Sequence, residues 1–243
     1  EVSSHVFVVG VMGGIGSGKS TACQMLVSEL IAPGKGLYLE ADSIARGLYQ
    51  PKSPVIQVLQ QEFGPSIVLE NGEINKANLA GIIFADPEAR QRLEQIVWPL
   101  TKQEVSNQID QAARDWQLQQ STDHDIGDDG ERINTPIVVL EAAMLLDAGW
   151  EDMLDALWVI TASKEAAFQR LVKGERALPA DDVERRMEDQ KVRRGMGNLD
   201  EEVKQGIVTA VVDNSGTTEA LQQALSTTLK EAVENWKKPP PSS

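Results

Sequence analysis

The chain has 243 residues, 41% of them hydrophobic, enough to bury a sizeable core in one large domain or in one domain that carries an insert. Its 37 acidic and 23 basic residues leave a net charge of -14, a field that repels nucleic acid and anionic membrane surfaces, so neither is expected as a partner. The single cysteine, Cys23, excludes an internal disulfide framework and suits a reducing compartment, which points to the cytoplasm with an organelle left open.

The chain begins EVSSH without a methionine and reads as a processed product or a domain cut from something longer. Val6 to Met12 is a short apolar run, too short to span a bilayer and without the basic flank of a signal peptide, so it is expected as a buried strand at Val6–Val11. A helix over Lys19–Leu30 and a strand over Leu37–Glu40 follow, giving a β-α-β start. From Pro51 to Gln120 the signal is helical, with only a short extended stretch near Ile67. The apolar series Leu93, Ile96, Val97, Leu100, Val105, Ile109, Ala113 and Trp116 predicts a long helix that Pro99 should kink or break near Trp98. Ser121 to Asn134 is polar and acidic and reads as a surface loop. Strands are expected again at Pro136–Glu141, Leu157–Ile160 and Val208–Val212, a helix at Lys164–Val172, and a closing helix carrying Leu221, Leu225, Leu229, Val233 and Trp236. Strands interleaved with helices imply an α/β fold, a parallel sheet covered on both faces with a helical block inserted into it.

GGIGSGKST, Gly13 to Thr21, stands between the first strand and the first helix. Gly13, Gly18, Lys19 and Ser20 satisfy G-x-x-x-x-G-K-[ST], the loop in which glycines let backbone N–H groups turn inward around phosphate oxygens. The helix N-terminus adds its positive dipole end. On this reading Gly14, Ile15, Gly16, Ser17, Gly18, Lys19, Ser20 and Thr21 hold a nucleotide, Lys19 reaches the terminal phosphates and Ser20 ligates Mg²⁺. No G-x-G-x-x-G occurs in the run, which disfavours a dinucleotide.

A phosphoryl-transfer pocket also needs a carboxylate that can take the proton of an attacking hydroxyl. Asp42, in EADSIAR after the second strand, is the candidate, with an N-cap for a helix starting at Ser43 as the plainer role. Glu141 ends the apolar strand PIVVLE where an acid can hold Mg²⁺, or is simply a strand-end surface acid. Arg170 to Arg194 is rich in arginine, and Arg170 and Arg176 are the preferred residues for a lid closing over ATP; helix ion pairs on a solvated face are the alternative. Asn214 and Gly216, in VVDNSG beyond the last strand, lie where ligands collect in open α/β sheets and are read either as an adenine contact or as an ordinary turn.

GGIGSGKST, EADSIAR, INKANLAGIIFADPEARQRLEQIVWP, VVLEAAMLLDAGW and VVDNSG stand in the order and spacing of dephospho-CoA kinase, which the chain resembles over most of its length. Trp98-Pro99 and AAMLLDAGW resemble the kinase domain of animal bifunctional CoA synthase more than the bacterial single-domain enzyme, which has His-Pro there. The resemblance implies a P-loop core (1–50, 135–172 and 207–238), a helical CoA-binding insert (51–120) and a lid (173–206); the acidic surface loop (121–134) is an insertion with no assigned role, and 239–243 reads as a frayed tail. It implies transfer of the ATP γ-phosphate to the ribose 3'-hydroxyl of dephospho-CoA with Mg²⁺ and Asp42 as base; a second catalytic domain and a homo-oligomer are left open as further partners. Three Asp/Glu exchanges depart from the family pattern: Glu40 and Glu141 stand where it has Asp, and Asp147 where it has Glu; Lys76 stands where many relatives have Arg, and the lid has one extra residue near Gly174.

Other features carry less. Asp123, Asp125 and Asp128 lack the glycine an EF-hand loop needs and read as solvated. His5 and His124 have no partner at metal or triad spacing, and Cys23 reads as packing. NKAN, Asn75 to Asn78, lacks the carboxylate of the guanine-reading N-K-x-D. A kinase for another small molecule such as shikimate or gluconate, and a nucleotide sensor without transfer, are the competing expectations.

Overall fold

The computed structural model describes residues 6–51, 53–120, 132–174, 177–193 and 199–237. The chain divides into two compact units, one of Glu1–Leu39 with Asp110–Ser243 and one of Glu40–Ile109. Residues 121–131 of the acidic loop (with Asp123, His124, Asp125 and Asp128), His5, Arg176, Arg194 and the tail 239–243 lie outside the described residues.

The first unit is built on a five-stranded sheet. Its strands are β1 (Phe7–Gly13), β2 (Gly36–Glu40), β3 (Ile137–Glu141), β4 (Ala156–Thr161) and β5 (Ala210–Asp213), in spatial order β2-β3-β1-β4-β5. β1 pairs in parallel with β3 and β4, and β4 in parallel with β5. β1 and β3 are buried along their whole length, as the unbroken apolar runs FVVGVM and IVVL require of strands covered on both faces, whereas the edge strands β2 and β5 are partly exposed. The register sets Val11 beside Glu141 and Gly13 beside Ile160, so the glycine-rich loop and the acid at the end of β3 emerge from the same edge of the sheet.

Alternate residues supply one face: Phe7, Val9 and Val11, Ile137 and Val139, and Ala156, Trp158 and Ile160 form a single cluster. Two helices close it. α1 (Lys19–Met25) contributes Ala22, Cys23 and Met25 and widens into a π turn over Leu26–Leu30, and α9 (Thr218–Lys237) contributes Leu221, Leu225, Leu229 and Val233 at helical spacing. Leu225 and Leu229 are fully buried, each stabilising the fold by about 1.5–3 kcal/mol. At the opposite edge of the sheet Asp155 accepts from the Val8 amide at 2.8 Å and from Trp236 Nε1 at 3.1 Å, tying α9 to β1.

The second unit packs α2 (Ala41–Gly47), α3 (Pro54–Phe63), α4 (Lys76–Ala85) and the first part of α5 (Pro87–Gln120) around Val55, Ile56, Leu59, Ile67, Ile74, Leu79 and Val97. Ala45, Leu48 and Tyr49 pack on the same cluster, which is why this unit begins at Glu40, upstream of the helical block read from Pro51. The extended stretch near Ile67 is an isolated antiparallel bridge between Val68 and Ile74. Asn75 caps α4 by accepting from the Asn78 amide at 3.2 Å, so the NKAN run is a helix start.

Of the kink or break expected at Pro99, the break does not occur: α5 runs through the proline. Ala89, Val97, Thr101, Val105, Ile109, Ala113 and Trp116 are all buried and fall on one stripe, so packing on both sides of the proline outweighs its cost of about 3 kcal/mol. Thr101 Oγ1 donates to the Val97 carbonyl at 2.8 Å within the same turn. Downstream, Trp116 Nε1 donates to the Gly34 carbonyl at 2.6 Å, which anchors the end of α5 in the first unit. Among the described residues no helix is long and apolar enough to cross a membrane.

Candidate active site

The loop between β1 and α1 takes its shape from glycine. Gly16 and Gly18 have φ of 74° and 88°, in the left-handed region that side chains disfavour. A Cβ on Gly16 would lie 2.7 Å from the Ala167 carbonyl, and one on Gly18 would overlap the Asn214 amide. The Ser17 amide donates to the Gly14 carbonyl at 3.1 Å, and the Ala22 amide to the Gly18 carbonyl at 3.0 Å, the first turn of α1. No side chain caps α1 and no acid lies in its first turn, so its positive end is left unneutralised by its own helix. Lys19 curls back over the loop, its Nζ 3.4 Å from the Gly14 carbonyl. Ser17 is buried, and its hydroxyl has no partner among the described residues.

Two residues from distant parts of the chain grip the outside of this loop. Asn214, just beyond β5 and buried, donates from Nδ2 to the Ser17 carbonyl at 2.8 Å. Arg170, on α6 (Lys164–Lys173), donates from one guanidinium nitrogen to the Gly16 and Ser17 carbonyls, both at 3.4 Å, and from the other to the Asn214 carbonyl at 2.6 Å. The carbonyls at 16 and 17 are thereby turned toward Arg170 and Asn214. Sequence reasoning gave Arg170 to a closing lid and Asn214 to adenine, and had no signal for the brace, which depends on β5 and α6 ending beside the loop. Asn214→Ala removes the Ser17 contact and the longer contact of Arg170 with Asn214 Oδ1 at 3.3 Å, and keeps the backbone carbonyl that holds Arg170 at 2.6 Å. It is expected to weaken about tenfold, equivalent to about 1.4 kcal/mol, the binding of the nucleotide that the loop's sequence predicts; calorimetric titration of the purified variant checks this.

On the other side of the loop, Ser20 Oγ donates to Glu141 Oε1 at 2.9 Å, joining the helix start to the end of β3. Glu141 is buried, and its second oxygen, Oε2, accepts from the hydroxyl of Tyr38 on β2. Tyr38 escaped the sequence reading because a tyrosine between two leucines on a strand reads as packing; the trace available was its polar tip one turn of the pleat before the strand end. Burial pushes the Cys23 thiol well above its ordinary range, and the Glu141 charge adds to the shift, so Cys23 is a packed neutral thiol behind the site.

A cavity of about 740 Å³ opens beside the loop, within the range of small-molecule sites. Gly14, Ile15 and Ser17 line it with Thr161 and Ala162 from the end of β4 and Met187 from α7 (Ala180–Arg193). Arg185 on α7 pairs with Asp182 at 2.9 Å on an exposed face, as the helix-pair reading of the arginines expects.

Asp42 belongs to the second unit, where it is exposed in the first turn of α2. It is not the N-cap: the helix starts earlier than Ser43, and Glu40 occupies the capping position without a side-chain bond. Glu40 instead pairs with Arg46 at 3.3 Å. Thr21 and Gly216 are exposed on the first unit, and so is Asp147.

A family model described as dephospho-CoA kinase matches residues 7–122. A protein of Bacillus licheniformis named dephospho-CoA kinase is 34% identical over 224 residues, covering 90% of this chain and 96% of that protein. The chain belongs to the dephospho-CoA kinase family. Within that family, a dephospho-CoA kinase of Geobacter metallireducens is 30% identical over 229 residues, covering 94% of this chain and 98% of its own length. The solved structure of dephospho-CoA kinase from Campylobacter jejuni shares the fold, with a TM-score of 0.55 at 18% identity over 94% of this chain and 98% of that one. These likenesses agree with the parallel sheet, the phosphate-type loop and the family expectation from the sequence motifs.

Proposed function

We propose that this member of the dephospho-CoA kinase family transfers the γ-phosphoryl group of ATP to the ribose 3'-hydroxyl of dephospho-CoA, giving CoA and ADP. The observation that carries the proposal is the braced loop, whose carbonyls at 16 and 17 are held from outside by Arg170 and Asn214 beside a helix start with no cap of its own. Such a loop favours an anion within it. The Ser17 hydroxyl, without a partner among the described residues, fits a phosphate oxygen as its acceptor.

In this reading Lys19 pairs with the terminal phosphates, Gly14 to Thr21 cradle them, and Arg170 supplies positive charge from behind the loop. Asp42 accepts the proton of the 3'-hydroxyl as that oxygen bonds to the γ-phosphorus and the bond from phosphorus to the β–γ bridging oxygen breaks, releasing ADP. Ser20 and Glu141 suit Mg²⁺: both offer oxygen, and their hydroxyl and carboxylate oxygens lie 2.9 Å apart beside the loop. Magnesium is a hard cation that takes one or two protein ligands and completes its shell with phosphates and water. Bound there it supplies neutralisation of phosphate charge. The helical unit Glu40–Ile109 is the proposed holder of the acceptor, and the adenine contact is proposed at the exposed turn of Gly216, Asn214 being engaged with Ser17, Arg170 and Thr161.

The test is a panel of acceptors, dephospho-CoA, shikimate, gluconate and none, each given ATP and Mg²⁺ while ADP release and acceptor mass are followed. A mass gain of one phosphate confined to dephospho-CoA is expected. A gain on shikimate or gluconate instead moves the chain to another small-molecule kinase, and ATP binding without any gain makes it a nucleotide sensor.

A further inference from the structure

The contact between Tyr38 and Glu141 has no part in the roles assigned so far. β2 is an edge strand beside β3, and Tyr38 on it is half-buried against the same core cluster that holds α1 and α9. Its ring is therefore fixed by packing while its hydroxyl reaches the end of β3 and donates to Glu141 Oε2. That leaves Oε1 directed at Ser20, 2.9 Å away. Glutamate has one more rotatable bond than aspartate, so a glutamate at this place has an additional way to miss the second residue of α1. A buried carboxylate also needs donors, and among the described residues hydroxyls of Tyr38 and Ser20 donate to it.

We propose that Tyr38 is a positioning residue: by holding Oε2 of Glu141 it orients Oε1 together with Ser20 for a divalent cation bound with the nucleotide. The proposal rests on the kinase reading and concerns how this chain uses glutamate at the end of β3. Groups that orient a metal ligand from outside contribute about 10–100-fold to metal affinity, and a single hydroxyl acting on one oxygen belongs at the lower end of that range.

Calorimetric titration of the purified chain with Mg²⁺·ADP, and with ADP in excess chelator, provides a readout apart from turnover. Tyr38→Phe removes the hydroxyl and keeps the ring; Tyr38→Met removes it with a different apolar filler. Both variants are expected to bind Mg²⁺·ADP about tenfold more weakly and metal-free ADP within twofold of the parent. The Mg²⁺ concentration for half-maximal rate should rise by a similar factor, with kcat at saturating Mg²⁺ changed much less. In a Glu141→Asp background the shorter side chain no longer depends on Tyr38, so Tyr38→Phe should add less than a twofold loss. Unchanged Mg²⁺·ADP affinity in both variants overturns the proposal. So does an equal loss for metal-free ADP, which marks a purely structural role, or the full tenfold loss in the Glu141→Asp background. If the parent itself binds ADP no better with Mg²⁺ than without, the kinase reading fails at the metal, and the proposal fails with it.

Discussion

Lys19→Ala should lower kcat/KM for ATP by about a thousandfold and leave the fold intact. The side chain starts at the first residue of α1 and lies back over the loop, its ammonium 3.4 Å from the Gly14 carbonyl, a long contact that a phosphate oxygen can replace. In phosphoryl transfer there is little covalent chemistry for the protein to perform, so positioning and charge stabilisation carry nearly all of the acceleration. Removing one well-placed donor from developing negative charge costs about 10²–10³ in rate, and a full positive charge belongs at the upper end. The core should not notice, because Ala22, Cys23 and Leu26, not Lys19, pack α1 on the sheet. Kinetics against ATP and a thermal melt separate these outcomes: a rate within tenfold of the parent removes Lys19 from the transition state, and a collapsed melt makes it structural.

Asp42→Asn should reduce kcat by about a thousandfold while the dissociation constants of ATP and dephospho-CoA stay within about threefold. A positioned general base contributes about 10²–10⁴, and asparagine keeps the shape of aspartate without its capacity to take a proton. The first turn of α2 is a favourable place for an acid whether or not it reacts, since the positive end of the helix dipole is worth about 0.3–1 kcal/mol there. Stability alone therefore does not diagnose the role. Single-turnover rates do: a chemical step that survives Asp42→Asn shows that another group accepts the proton, and a loss confined to binding shows that Asp42 holds substrate only.

Most of the scaffold could be read in the residues. The uninterrupted apolar runs of β1 and β3 announce strands buried on both faces, and GGIGSGKST between a strand and a helix fixes the phosphate loop. Boundaries were less legible. β5 runs Ala210–Asp213 where Val208–Val212 was expected, because exposed Val211 and Asp213 gain their places from pairing with β4 and not from their own hydrophobicity. Pro99 does not break α5, because a rule about one residue meets a stripe of buried side chains extending from Ala89 to Trp116. The plainer alternative for Asp42, a cap for a helix starting at Ser43, does not hold: the chain enters α2 directly from β2, so Glu40 takes the capping position and leaves Asp42 inside the first turn. The grip of Arg170 and Asn214 on the loop, and of Tyr38 on Glu141, joins residues far apart in sequence, and only the strand order brings those segments to one edge.

ATP labelled at the γ-phosphate, incubated with dephospho-CoA and Mg²⁺ and followed by phosphorus NMR, tests the central claim most directly. The account predicts that the label appears as a monoester on the ribose 3'-oxygen of the product, and that Lys19→Ala prevents it. Label that remains on ATP or passes only to water, with dephospho-CoA unchanged, would contradict it.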